Sequence, residues 1–181
     1  MQDEPLDFAV TYQTLFHETL EHELTPRLKE RLRALGLDLD RKLLPGYPSK
    51  LWPAAMRATA DELYPQLEFQ EAVSKLGARF IERYFGSAIG SAVALMLRTL
   101  GPMRAVGRVE RALRNTNNYQ RTKFTPRGDK QAELWIAEVN GVAGWFTGIF
   151  KATCKRIGVK DPQVEVIADD GRSATFLLSW S

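Results

Sequence analysis

YQRTKFTPRGDKQAELWIAEVNGVAGWFTGIFKATCKRIGVKDPQVEVIADDGRSATFLLSW, residues 119–180, changes its hydrophobic period along its length. Residues 119–126 read as a strand, Arg127-Gly128-Asp129-Lys130 as a turn, and residues 132–139 alternate again. Together they predict a hairpin. Residues 142–157 then carry apolar side chains at helical spacing, and Gly158 supplies a stop. Residues 163–168 and 174–180 are two further strands joined by Asp169-Asp170-Gly171-Arg172, an Asp-Gly hairpin signal. The unit is ββ-α-ββ. Hairpins make antiparallel sheet, and one amphipathic helix covers one of its faces.

Upstream the pattern is helical. Residues 8–12 (FAVTY) are β-branched and aromatic and predict a short first strand, and residues 13–23 a helix. Thr25-Pro26 opens a second helix, with Thr as N-cap and Pro at its first position, and Gly36 ends it. Residues 37–48 hold two prolines and a glycine and read as loop. Ser49 is placed to cap a helix to Leu63, ended at Tyr64-Pro65. Another runs from Phe69 to Tyr84, kinks at Gly86 and continues to Leu100; Gly101-Pro102 opens a last one over 102–114. The expected class is α+β: an antiparallel sheet of four to five strands with four to five helices mainly on one face. One domain is expected over 1–181, helical over about 13–114 and ββ-α-ββ over about 115–181, because neither part closes a core alone.

The single cysteine, Cys154, excludes an intrachain disulfide and fits a cytoplasmic setting. The acidic start MQDEPLDF lacks the basic-then-apolar pattern of a signal peptide. The uncharged run Tyr84–Leu97 is shorter than the roughly 20 residues a membrane span needs, and it reads as a buried core helix. The net charge of +3 conceals a division. Residues 1–68 hold 8 basic and 12 acidic side chains; segment 98–130 holds nine basic against two acidic.

Two resemblances add to this reading. Gly144 and Gly148 on an apolar helix, the basic turn before Gly158 and the strands QVEVIA and ATFLLSW resemble the superfamily that joins 4-vinyl reductase domains, haem nitric-oxide-binding domains and transport-particle subunits. Over about Val10 to Trp180 the chain resembles an uncharacterised paralogous family of myxobacteria, a domain of unknown function. The carriers are RALGLDLDRKLLPGYP (33–48), the Trp52 helix, ELYP (62–65), LGARFIERYFGSAIG (76–90), LGPMRAVGRVERALRNTNNY (100–119) and the terminal hairpin. The superfamily implies a small-molecule pocket between helices and sheet, or a surface that pairs protomers as a homodimer. Its haem branch implies a helix histidine and a Tyr-x-Ser-x-Arg clamp. Here Tyr47-Pro48-Ser49-Lys50-Leu51 ends in leucine, and His17 and His22 both precede it. No cofactor is therefore expected.

Catalytic groups are sparse. Cys154 would need His17 or His22 brought beside it. The i,i+4 pairs His17/Glu21 and Glu18/His22 offer two ligands each, too few for a metal site. Asp169 and Asp170 are explained by the turn, and no phosphate-cradling glycine loop occurs. No enzyme activity and no metal are expected.

The clearest chemical signal is basic. On a helix at about 100° per residue, Arg104, Arg108 and Arg111 share a face opposite Val106, Val109 and Leu113. Arg114, Asn117, Asn118 and Tyr119 follow. Guanidinium forks grip phosphate or carboxylate, so these seven residues are the candidate site for an anionic ligand or an acidic protein partner. A solvated face paired with the chain's own acidic half explains the arginines too. Nucleic acid is disfavoured because no aromatics interleave with them. Tyr84, Phe85, Trp135, Trp145, Phe146 and Phe150 are the candidate lining of an apolar pocket. The expected function is a non-catalytic, regulatory sensor or interaction module for a small molecule or protein partner. The alternatives are an adaptor docking acidic partners on helix 102–114 and an uncharacterised enzyme.

Overall fold

A computed structural model describes residues 4–181. The ββ-α-ββ block folds as its pattern requires. Strands β3 (Thr122–Pro126), β4 (Gln131–Ile136), β5 (Gln163–Asp169) and β6 (Ala174–Ser179) form one antiparallel sheet in the order β3-β4-β6-β5. Ala132, Leu134 and Ile136 alternate with Ala174, Phe176 and Leu178 on the covered face. The β5–β6 turn is built by its aspartates. Asp170 Oδ1 accepts from the amides of Arg172 (2.9 Å) and Ser173 (2.6 Å), and Gly171 takes a φ of +81°.

Helix α8 (Ala143–Arg156) lies between the sheet and the other helices. Phe146 and Phe150 meet Phe176 of β6 at ring-centre distances of 6.1 and 5.4 Å. Trp145, on its other side, meets Trp52 and Phe80 at 5.0 Å each. Helix α4 (Phe69–Gly86) runs against α8 with backbone nearly touching backbone. A Cβ on Gly77, Gly144 or Gly148 would overlap the carbonyl of Trp145, Gln70 or Ser74. These glycines close the helix pair and leave no gap between them.

Six expectations change. The first strand is β1, Leu6–Phe8, and Ala9–Tyr12 is already helical (α1), continuing into a π-turn over Gln13–Thr19. Burial of Tyr12, Leu15, Phe16 and Leu20 at helical spacing overrides the β-branched character of Val10 and Thr11. The loop over 37–48 contains β2 (Gly46–Pro48), which pairs antiparallel with β1. Helix α2 (Pro26–Ala34) is capped as expected, Thr25 Oγ1 accepting from Leu28 N at 3.0 Å. Ser49, however, does not cap α3 (Leu51–Leu63); its amide donates to Pro5 O at 2.9 Å and extends the small ladder.

The kink at Gly86 is a full break. Helix α5 (Ala88–Leu100) leaves α4 at 100°, with Ser87 Oγ accepting from Gly90 N at 3.0 Å as a fresh N-cap. The run Tyr84–Leu97 is not a buried core helix. Within it Gly90 and Ala94 are buried, while Ile89, Leu95 and Met96 are 74, 67 and 46% exposed. Finally, helix 102–114 is two short helices, α6 (Pro102–Val106) and α7 (Val109–Leu113), broken at Gly107-Arg108. The break lets Met103 and Val106, then Val109 and Leu113, each lean on the core.

Candidate binding site

The expected site residues are dispersed over the fold. Arg104, Arg108 and Arg111 are exposed on α6, the break and α7. None of them has an ion-pair partner among the described residues, whereas Arg114 pairs with Glu110 at 2.6 Å. The acidic half does not neutralise them. Several of its carboxylates pair within that half, Asp40 with Lys29 and Arg33 at 2.8 and 2.7 Å and Asp61 with Arg31 at 3.1 Å, and Glu23 pairs with Arg79.

Asn117 is buried, Tyr119 half-buried and Asn118 exposed, and the segment holds the N-terminal strand. Asn118 Oδ1 accepts from Leu6 N at 2.8 Å, and its Nδ2 donates to Glu4 O at 3.0 Å. Asn117, 5% exposed, accepts from the amides of Tyr119 and Gln120. The Tyr119 phenol donates to Asp7 Oδ1 at 2.9 Å. Asp7 is 6% exposed, and burial raises its pKa to about 7 despite that bond. Among the described residues its Oδ2, with Tyr12 Oη and Thr11 Oγ1, has no hydrogen-bond partner. Residue spacing could not show this cluster, since Asp7 and Tyr119 are 112 positions apart.

The candidate aromatic lining is divided. Trp145, Phe146 and Phe150 fill the core on both sides of α8. Tyr84 and Phe85 stack on each other at 5.5 Å where α4 ends. Trp135 points to the outer face of the sheet, 37% exposed, beside a shallow depression of about 230 Å³ that includes Asp169 and Asp170.

A larger open cleft of about 350 Å³ lies where the α5–α6 junction meets the end of α8. Arg98, Gly101 and Pro102 form one wall; Gly158, Lys160 and Trp180 form the other. Gly158 has a φ of +86°, and the Arg98 guanidinium lies over it. Neither Arg98 nor Lys160 is ion-paired among the described residues. The cleft therefore presents two free cations, a backbone turn and one indole, a donor set suited to an anion with an apolar body. Sequence reading placed Arg98 in the basic segment but had no signal for Lys160 and Trp180, which only the fold brings near.

The groups considered for catalysis remain apart in role. Cys154 is buried on α8, and desolvation pushes its thiol up to about 11. His17 lies in the π-turn and His22 in the exposed 3₁₀ turn Glu21–Glu23. Among the described residues no group of three His, Cys, Asp or Glu side chains is arranged to hold a metal. Tyr47 is a core residue, stacked on Tyr12 at 4.9 Å, its hydroxyl accepting from Leu44 N at 3.1 Å.

The fold is that of H-NOX domains. A structure described as giving insight into H-NOX activation matches with a TM-score of 0.69 over 97% of this chain and 96% of that one, at 12% identity. One concerned with haem redox potential and porphyrin distortion matches at 0.68, 12% identity, covering 95% and 94%. An unliganded Fe(II) H-NOX mutant from K. algicida matches at 0.69, 9% identity, covering 95% of each chain. No curated protein gives a match. A family model described as a protein of unknown function, DUF2378, matches residues 6–181, and the chain belongs to that family.

Proposed function

We propose that this domain is a non-catalytic sensor or interaction module whose input is an anionic ligand or acidic partner rather than haem. The fold it shares with haem-containing domains makes haem the first group to test. The residues present do not fit it. His17 and His22, the chain's two histidines, belong to the N-terminal π- and 3₁₀-turns. Tyr47 is committed to the core, and Leu51, 7% exposed, is buried with it. The α4–α8 layer is closed by Gly77, Gly144 and Gly148. Cys154, with its thiol held protonated by burial, offers no thiolate.

The observation that carries the proposal is the unpaired Arg98–Lys160 cleft. Two cations without counter-ions around an open depression leave their charge for something outside the chain. The non-catalytic part of the proposal is supported by the buried, protonated Cys154 thiol and by the placement of both histidines in the N-terminal turns. The test is a thermal-shift survey with inorganic phosphate, nucleotides and an acidic polypeptide on wild type and Arg98→Glu. A ligand that raises Tm in wild type but not in the variant supports the cleft; equal responses, or none, reject it.

A further inference from the structure

We infer that α5 is a docking helix for the surface of an anionic lipid bilayer. The inference rests on the reading of this domain as a binding module and names the partner. Taking Ala92 as centre, Ala88, Ile89, Ala92, Leu95, Met96 and Thr99 fall within about a 120° arc of a helix at 100° per residue. All six are exposed, with Ile89 at 74% and Leu95 at 67%. The one hydroxyl on this face, that of Thr99, is already bonded to Leu95 O at 3.0 Å. The opposite face, Gly90 and Ala94, is buried against the chain. The outward face is therefore apolar without compensation, on a helix that turns 100° away from α4.

Its surroundings are basic. Between Glu82 and Glu110 the sequence holds Arg83, Arg98, Arg104 and Arg108 and no acidic residue. All four are exposed and lack ion-pair partners among the described residues. Arg98 lies on the flank of the arc, in the cleft shared with Lys160 and the half-buried Trp180. Apolar side chains flanked along the chain by arginines, with an indole in the adjoining cleft, match the composition of a helix lying in a headgroup layer. The alternative occupant, a second copy across a two-fold axis, would set these arginines against each other, with no acidic residue between Glu82 and Glu110 to answer them. An anionic surface removes that repulsion, each cation adding attraction within a Debye length. Among the described residues no single helix is long and apolar enough to cross a membrane, and the contact inferred is one with the bilayer surface.

The experiment is co-sedimentation of the whole chain with vesicles of phosphatidylcholine alone or with about one third phosphatidylglycerol, alongside sedimentation velocity without lipid. Wild type should sediment with the anionic vesicles and not the neutral ones, and raising salt should reduce it. Leu95→Glu/Met96→Glu should weaken binding at least tenfold at unchanged Tm, since both side chains are exposed; Arg98→Glu/Arg104→Glu should weaken it severalfold. Sedimentation with neither vesicle, or equal binding by the Leu95/Met96 variant, overturns the inference. So does a wild-type dimer that this variant converts to monomer, which assigns α5 to a second copy. If vesicles fail while phosphate or nucleotide still raises Tm through Arg98, the binding-module reading stands and the lipid assignment alone falls.

Discussion

The Tyr119 phenol donates to Asp7 Oδ1 at 2.9 Å, joining the N-terminal strand to the segment just before the sheet. The other carboxylate oxygen has no donor among the described residues, and the group is almost fully buried. Burial raises its pKa from 3.8 to about 7. The folded chain therefore keeps a proton that the unfolded chain releases near pH 4. Stability from this group is fully present below the unfolded value, falls as pH rises through the interval, and is gone above about 7. Each pH unit within it costs up to about 1.4 kcal/mol. Asp7→Asn, which mimics the protonated form, should raise Tm at pH 8 and leave it nearly unchanged at pH 4. Thermal melts across pH 4–8 check this, and parallel curves for the two proteins would refute it.

Asn118 makes two hydrogen bonds to the backbone of residues 4 and 6. Asn118→Ala should cost about 1–2 kcal/mol and selectively raise amide exchange at Leu6. A uniform rise across the sheet would instead mean global destabilisation.

A methyl group at position 148 would meet the Ser74 carbonyl in the α4–α8 contact. Gly148→Ala should lose about 3 kcal/mol or more, at the upper end for overpacking. Gly86→Ala, at a position with open space around it, should change stability little or improve it. Urea melts of the pair separate close packing from helix propensity.

Haemin titrated into the chain should give no stoichiometric Soret complex, and the protein should melt cooperatively without it. A saturable one-to-one spectrum with a ligated iron would reject the haem-independent reading.

Cys154 should react with a thiol reagent only as fast as the domain opens, because its thiol is buried and protonated. Stopped-flow labelling in rising urea should track unfolding, and a rapid native phase would contradict the burial.

The C-terminal block was legible because its strands alternate and its turns carry Asp-Gly and Gly-Asp signals, and the sheet follows the boundaries those signals set. The β1–β2 ladder was not, since three residues on each side leave too short a pattern and the pairing spans some forty positions. Helix α5 misled in an instructive way. An uncharged apolar run implies burial, and nothing local showed that one face of this one lies open at the surface. The basic segment showed its charge but not its geometry. Arg98 faces the cleft through a junction at Gly101-Pro102, and Lys160 reaches it from beyond α8. Asn117, Asn118 and Tyr119 drew notice as polar donors, yet only the folded chain shows that they bind its own first strand.

That strand has a consequence for synthesis. Residues 6–8 can pair with Gly46–Pro48 early, but their second edge, at Asn117 and Asn118, lies more than a hundred positions downstream. On a growing chain Asp7 stays open to water, and ionised, until residue 119 has left the ribosome. The helical part cannot finish before the sheet begins to emerge, so a nascent chain halted at the end of α7 should remain protease-sensitive at its leading end, and the two parts mature together.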